Sequence, residues 1–236
     1  MTSEHVACTN WKRVMLFLKH NMSYDEIMSI PGHTIHSWRN LTLLSTLPNS
    51  EIKAKLMHYT KFMFVRDPFV RLISAYRDKF QGNTTFHQSY ARTILNLYGN
   101  KRSRFYVKGK RKAVAPQAQP TFYNFIQYLV DPRTERTKPF EPHWRQMYRL
   151  CHPCLIQYDF VGHQETLQED AEQLFKILQL EDDIKVPPSY ENMTSSGSVE
   201  DWFRTVPQED RRKLFKIYER DFRLFGYQRP AGLLDE

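Results

Sequence analysis

Two stretches of the chain carry residue types suited to holding an anion. Val6-Ala7-Cys8-Thr9-Asn10 leads into an amphipathic stretch that begins at Trp11. Backbone N–H groups and the positive end of a helix placed there would hold a phosphate-type group, with Thr9 and Lys12 or Arg13 adding side-chain donors. The same residues also describe a merely capped amphipathic helix, because Thr and Asn are common helix caps. The second stretch ends an apolar run at Arg66 and continues to Ser74, about two helical turns on. Such spacing could bring a forked guanidinium and a hydroxyl onto one anion. A surface pairing of Arg66 with Asp67 or Asp78 fits the same letters.

Other groups with chemical potential are fewer. Three cysteines occur: Cys8 alone, and Cys151 with Cys154 in Cys-His-Pro-Cys. Two sulfur ligands are too few for a four-coordinate zinc site, so the pair reads as a local disulfide or two thiols, and no metal is expected. Lys101 to Lys112 holds seven basic residues in twelve, a run that would track a polyanion or simply stay solvated. No G-x-x-x-x-G-K-[ST] loop is present, which excludes that nucleotide-binding class. The positive charge is not interleaved with stacking aromatics in any recognisable motif, which disfavours a nucleic-acid-binding module.

The elements that must position these residues follow from periodicity. Trp11, Val14, Met15 and Leu18 share one helical face, and Ile52, Leu56 and Tyr59 predict a second helix over 51–59. Between them, residues 31–39 read as a loop. Lys61-Phe-Met-Phe-Val-Arg66 has the short apolar form of a buried parallel strand. Asp67-Pro68 ends it, and Pro at the first position of a helix suits Phe69 to Phe80. Helices are also predicted for Phe122 to Val130, Thr166 to Leu178 and Gln208 to about Phe222, and a second strand for Leu155 to Val161. Strand-then-helix units of this kind predict an α/β fold with a central parallel sheet flanked by helices.

Composition sets the outer bounds. The 236 residues are 41% hydrophobic and 25% charged, with 34 Lys and Arg against 26 Asp and Glu, a net charge of +8. That suits one globular domain over 1–236, with an exposed basic loop at about 101–120 and an anionic partner. The apolar stretches fall far short of the roughly 18 residues of a membrane span. Asn21, Asn40, Asn83 and Asn192 head Asn-x-Ser/Thr sequons, which would accept glycans in the secretory pathway.

Five blocks carry a resemblance to a known family: CTNWKRVM (8–15), KFMFVRDPFVRLISAYRDKF (61–80), HWRQMYRLCHPC (143–154), YDFVGHQETLQEDA (158–171) and YERDFRLFGY (218–227). In order and content they resemble the Golgi carbohydrate sulfotransferases of the chondroitin/dermatan/HNK-1 group, and within it the chondroitin 4-O-sulfotransferases. The resemblance implies a P-loop-kinase-like fold, 3′-phosphoadenylyl sulfate (PAPS) as donor with no metal, and a chondroitin-type glycosaminoglycan acceptor sulfated on the 4-hydroxyl of N-acetylgalactosamine. It also implies residence at the Golgi membrane, on the lumenal side. The family's 5′-phosphosulfate loop falls on His5 to Trp11, flanked by Lys12 and Arg13. Its 3′-phosphate element falls on Arg66, Asp67, Pro68, Arg71 and Ser74, with Arg66 and Ser74 as the direct ligands.

The chain departs from the family pattern in two places. The family loop reads Pro-Lys-Val-Ala/Gly-Cys, and its lysine steadies the bridging oxygen as sulfate leaves; Glu4-His5 stand in those places here. The strand preceding that loop is also missing, so the chain is expected to begin at an alternative or mispredicted start, with the strand and a membrane anchor upstream. His5 would then substitute in part as an acid, or the protein would be a catalytically impaired donor- or glycosaminoglycan-binding homologue. The second departure is Glu141-Pro142, where the family has Asn-Glu ahead of His-Trp. The candidate base is His143, which suits proton transfer near neutral pH and reads equally as a histidine packed beside Trp144.

Overall fold

The computed structural model describes residues 8–20, 22–37, 41–81, 88–99, 119–136, 139–185 and 199–235. His5, Val6 and Ala7, the four sequon asparagines and the basic run 101–112 lie outside them. In chain order the helices up to the first strand are α1 (Cys8–His20), α2 (Tyr24–Ser29), α3 (Gly32–Ser37) and α4 (Asn49–His58). Strand β1 (Phe62–Val65) follows, then α5 (Pro68–Tyr76), α6 (Gln88–Tyr98), α7 (Phe122–Val130) and α8 (Met147–Cys151). Strand β2 (Phe160–His163) precedes α9 (Leu167–Leu178), α10 (Val199–Phe203), α11 (Gln208–Leu224) and α12 (Ala231–Leu234). The result is a mostly helical α/β protein with a small parallel sheet. It divides into two compact units, Met1–Arg66 with Met147–Asn192, and Asp67–Gln146 with Met193–Glu236.

The first unit is built on β1 and β2, which run parallel with Phe62 opposite Phe160 and Val65 opposite His163. Lys61 holds the start of the pairing, its backbone N–H and its ammonium donating to Asp159 Oδ2 at 2.7 and 2.8 Å. On this sheet Trp11 and Val14 of α1 meet Phe64 of β1 and Leu167, Ala171, Leu174 and Phe175 of α9 in one apolar cluster. The Trp11 and Phe64 rings stack with centroids 4.4 Å apart. A smaller cluster of Leu16, Ile27 and Ile35 fastens α2 and α3 to the same helix.

Two sequence expectations are corrected here. Residues 32–37, expected in a loop, form α3. The second strand begins at Phe160 rather than Leu155 and runs through Gly162 to His163. The stretch 153–156 instead turns, with Leu155 and Ile156 N–H groups donating to His152 O. Gly162 lies in the strand because it faces Phe64: a Cβ there would stand 2.4 Å from Phe64 Cε1. Since Phe64 is buried and stacked on Trp11, its ring has little room to yield. Gly162→Ala is therefore expected to lower stability by about 1–3 kcal/mol, read as a shifted urea midpoint with unchanged slope.

The second unit is an aromatic core. Phe69, Tyr76 and Phe80 pack with Phe122, Phe125, Trp144, Phe203, Tyr218 and Phe222 in one buried cluster. α5 is buried at eight of its nine positions, with Ser74 the exception, the pattern of a helix enclosed on all sides. A π-helical turn, Arg77–Gln81, continues it. α7 is held by a capping box in which Thr121 and Asn124 bond each other reciprocally. At the other end of that helix, Asp131 accepts from Tyr98 Oη at 2.5 Å and from Arg133. The Arg133 guanidinium keeps the Asp131 carboxyl well below the usual range.

Candidate functional site

α1 offers an anion the features its sequence predicts, with one shift. The helix starts at Cys8, so Thr9 and Asn10 lie in its first turn rather than ahead of it, and that turn contains no acidic residue. N–H groups of a first turn have no intrahelical partner and attract negative charge. Asn10 is 6% exposed and Lys12 9%, so a polar and a cationic side chain are enclosed near that end. Arg13 is otherwise engaged, donating to Ile30 O at 2.8 Å. Trp11 is the anchor: its contacts with Phe62 and Phe64 pin the first turn of α1 to β1. These residues offer a phosphosulfate backbone donors and positive potential, from a first turn that itself carries no acidic residue.

Arg66 follows β1 directly and is half-buried. A buried strand positions it, because the backbone of Val65 is tied to the neighbouring strand segment through Gln164 N–H at 2.8 Å. Arg66 belongs to the first unit. Asp67, Pro68, Arg71 and Ser74 belong to the second.

Within the second unit these four residues do different things. Asp67 caps α5, its Oδ1 accepting from the N–H groups of Phe69 and Val70 at 2.8 and 3.0 Å. Its carboxylate therefore occupies the donors that an anion would need, and Pro68 at the first helical position is buried. Arg71 is only 2% exposed. It donates from Nη1 to His143 O at 3.1 Å and from Nη2 to Arg145 O at 2.6 Å. Asp221, fully buried on α11, stands 3.9 Å from Nη2, beyond hydrogen-bond length, so their attraction is coulombic. Ser74 alone on α5 reaches partial exposure, one turn from Arg71.

His143 sits on a segment whose backbone is held at nearly every carbonyl. Phe140 O accepts from Arg145 Nε at 2.6 Å. Glu141 O accepts from the Trp144 and Arg145 N–H groups. His143 O and Arg145 O take the two Arg71 bonds, and Trp144 O accepts from the Tyr218 hydroxyl. Trp144 itself is fully buried, edge-on to Tyr90 and Phe125. The imidazole stays partly open, at 20% side-chain exposure, against a Glu141 side chain at 8%. Its Nδ1 lies 2.7 and 2.9 Å from the two Glu141 oxygens, and the His143 N–H donates to Glu141 Oε2 at 2.7 Å.

Glu141, in sequence only a departure from the family pattern, is placed on the His143 ring by the fold. The signal was the Glu-x-His spacing, in which Pro142 stiffens the turn between carboxylate and imidazole.

No disulfide joins Cys151 and Cys154. Cys151 ends α8, and His152 adopts a left-handed conformation, φ 50°, so the Cys-His-Pro-Cys stretch serves as a helix stop. The Tyr158 hydroxyl fastens it by donating to Cys151 O at 2.8 Å, and burial pushes the phenol pKa up. Among the described residues, no group of three or more His, Cys, Asp or Glu could hold a metal ion. No described helix is long and apolar enough to cross a membrane.

Comparison with known proteins gives these features a family. Residues 4–228 match the model of the sulfotransferase family. Among curated proteins, the chain is 46% identical over 245 residues to carbohydrate sulfotransferase 12 of Mus musculus, covering 97% of this chain and 57% of that protein. It is 46% identical over 246 residues to carbohydrate sulfotransferase 12 of Xenopus laevis, with the same coverage of each. Against carbohydrate sulfotransferase 11 of Rattus norvegicus it is 38% identical over 231 residues, covering 97% and 64%. The chain thus spans roughly three-fifths of the length of these relatives. No solved structure matches it. A match from residue 4 to residue 228, taking in both candidate anion-binding stretches and the His143 segment, establishes that the chain belongs to the sulfotransferase family, among its carbohydrate sulfotransferases.

Proposed function

We propose that this protein transfers sulfate from PAPS to the 4-hydroxyl of N-acetylgalactosamine in a chondroitin-type glycosaminoglycan, on a nucleotide-kinase-like fold and in the Golgi lumen. One observation supports the donor half: on a helix otherwise buried at every position, Ser74 is the one residue left partly open, where the family's 3′-phosphate element falls. The names of the relatives, carbohydrate sulfotransferases 12 and 11, support the acceptor half.

The residues divide the work. The first turn of α1, from Cys8 to Asn10 with Lys12, receives the phosphosulfate, preceded by His5, Val6 and Ala7. By the family resemblance, Arg66 and Ser74 are each a ligand of the 3′-phosphate. Asp67, Pro68 and Arg71 build the helix and the framework around them. His143 takes the proton of the attacking hydroxyl. As the sugar oxygen bonds to sulfur, the bond from sulfur to the 5′-phosphate oxygen breaks and its electron pair leaves on that oxygen. Helix N–H groups and cations stabilise that developing charge.

Purified protein incubated with sulfate-labelled PAPS and desulfated chondroitin should yield labelled polymer, and lyase digestion should release 4-sulfated disaccharide. Label at another hydroxyl overturns the position. Donor binding with no transfer overturns the enzyme reading in favour of the binding homologue that His5, in the lysine's place, suggests. Lysine at position 5 would then restore transfer.

The basic run contributes to the acceptor side in this reading. Neutralising Lys108, Lys110, Arg111 and Lys112 together is expected to raise acceptor KM and flatten its dependence on salt, since each lost phosphate-like contact removes released counterions. Initial rates over a range of acceptor concentrations at about 50 and about 200 mM salt check it.

A further inference from the structure

Carboxylates that orient a catalytic histidine do so by accepting from one ring nitrogen, which fixes the tautomer and leaves the other nitrogen as base. The His143 segment has that arrangement, and it has it redundantly. Glu141 receives both the Nδ1 side of the imidazole and the His143 backbone N–H. Its own side chain is 8% exposed, so the contact is sheltered from water. The chain on either side cannot drift, because Arg71 grips His143 O and Arg145 O while Tyr218 grips Trp144 O. A histidine packed merely as filler needs no buried carboxylate on its ring and no buried guanidinium on its carbonyl.

We propose that Glu141 is the positioning residue of His143, holding the imidazole as the Nδ1–H tautomer so that Nε2 is the atom that receives the acceptor hydroxyl proton. Arg71 anchors the pair to α5, the helix that also carries Ser74. This rests on the reading of His143 as the base. In the step, the hydroxyl O–H bond breaks and its proton passes to Nε2. The oxygen forms its bond to sulfur, and the sulfur–phosphate oxygen bond breaks with its electron pair. Glu141 stays ionised throughout and stabilises the imidazolium that forms.

The test combines spectroscopy with kinetics on the full chain. In protein labelled with ¹⁵N-histidine, the neutral His143 ring should show a protonated Nδ1 and a bare Nε2, and Glu141→Gln should disturb that preference. Glu141→Gln should also lower kcat by at least about 100-fold, since the carboxylate that orients a catalytic histidine is worth up to about 10⁴ in kcat, while KM for PAPS and for desulfated chondroitin stays within about twofold, as expected when only the transition state is affected. Glu141→Asp, which keeps a carboxylate, should recover part of the loss. Added to His143→Asn, Glu141→Gln should cost nothing further, because the two act as a unit. An Nε2–H tautomer in the wild-type protein, or an unchanged kcat for Glu141→Gln, overturns the proposal. An active His143→Asn overturns the base reading and the proposal with it. An inactive His143→Asn beside a fully active Glu141→Gln strikes the positioning role alone. Should Glu141→Gln fail to fold, the wild-type tautomer still decides.

Discussion

Arg66→Ala is expected to weaken binding of PAPS by about 100-fold while leaving the fold intact. The residue follows β1, whose last position is fully buried, and is itself half-buried, so its guanidinium is brought to the strand end by a rigid support. A guanidinium on a phosphate makes charge-assisted bonds worth about 1.5–3 kcal/mol each, and losing the pair that a fork provides costs about 3 kcal/mol, or two powers of ten. Lys in that place keeps the charge but not the fork, and should recover only part of the affinity. Calorimetric titration with PAPS and with its desulfated product, 3′,5′-adenosine bisphosphate, checks it. Both should weaken together, because both carry the 3′-phosphate. A variant that binds them as the wild type does would remove Arg66 from the site.

The largest effect on stability is expected at Asp221. It is fully buried, and the Arg71 side chain it faces is 2% exposed. Asp221→Ala leaves that guanidinium without its counter-charge, and breaking a buried pair from one side costs about 3–5 kcal/mol. Removing both charges is a different experiment. With Arg71→Met added, the orphaned cation disappears and part of the loss should return. Recovery should stay incomplete, because His143 O and Arg145 O would then lack their donors at about 1–3 kcal/mol for a buried group. Chemical denaturation of the two single variants and the double variant gives the coupling directly. If Asp221→Ala is as stable as the wild type, the pair contributes nothing. If the double variant falls to the sum of the singles, the charges are independent. The same variants test function, since loss of the Arg71 anchor should depress kcat more than donor affinity.

Local chemistry made part of this molecule readable in advance. The apolar run Phe62 to Val65, closed by Asp67-Pro68, is β1 as expected, because a short buried strand must be continuously apolar and a proline must end it. Phe122 to Val130 is α7 to the residue, since Thr121 supplies the cap and Asp131-Pro132 the stop. β2 was misplaced because its decisive residue, Gly162, looks like a strand breaker until the ring of Phe64 is put against it. α3 was missed because six residues opening on Pro31-Gly32 carry too little periodicity to reveal a helix fastened by Ile35.

At the site the division is sharper. Residue type and spacing admitted Val6 to Arg13, Arg66 and Ser74 as anion-binding candidates beside a capped helix and a surface ion pair, and the family resemblance, with the chemistry of imidazole, added His143 as the candidate base. Whether an arginine meets a ligand or the protein's own backbone depends on what packs around it. Arg71 and Arg66 are indistinguishable as letters, yet Arg71 is enclosed by His143, Arg145 and Asp221, groups 72, 74 and 150 positions away by their numbers in the chain. Glu141 became the partner of His143 only when Pro142 and the anchored carbonyls turned its carboxylate onto the ring. The residue types a sulfotransferase site needs were thus written in the sequence, whereas which polar groups serve the framework, as Asp67 and Arg71 do, came from burial and packing, which a chain acquires only on folding.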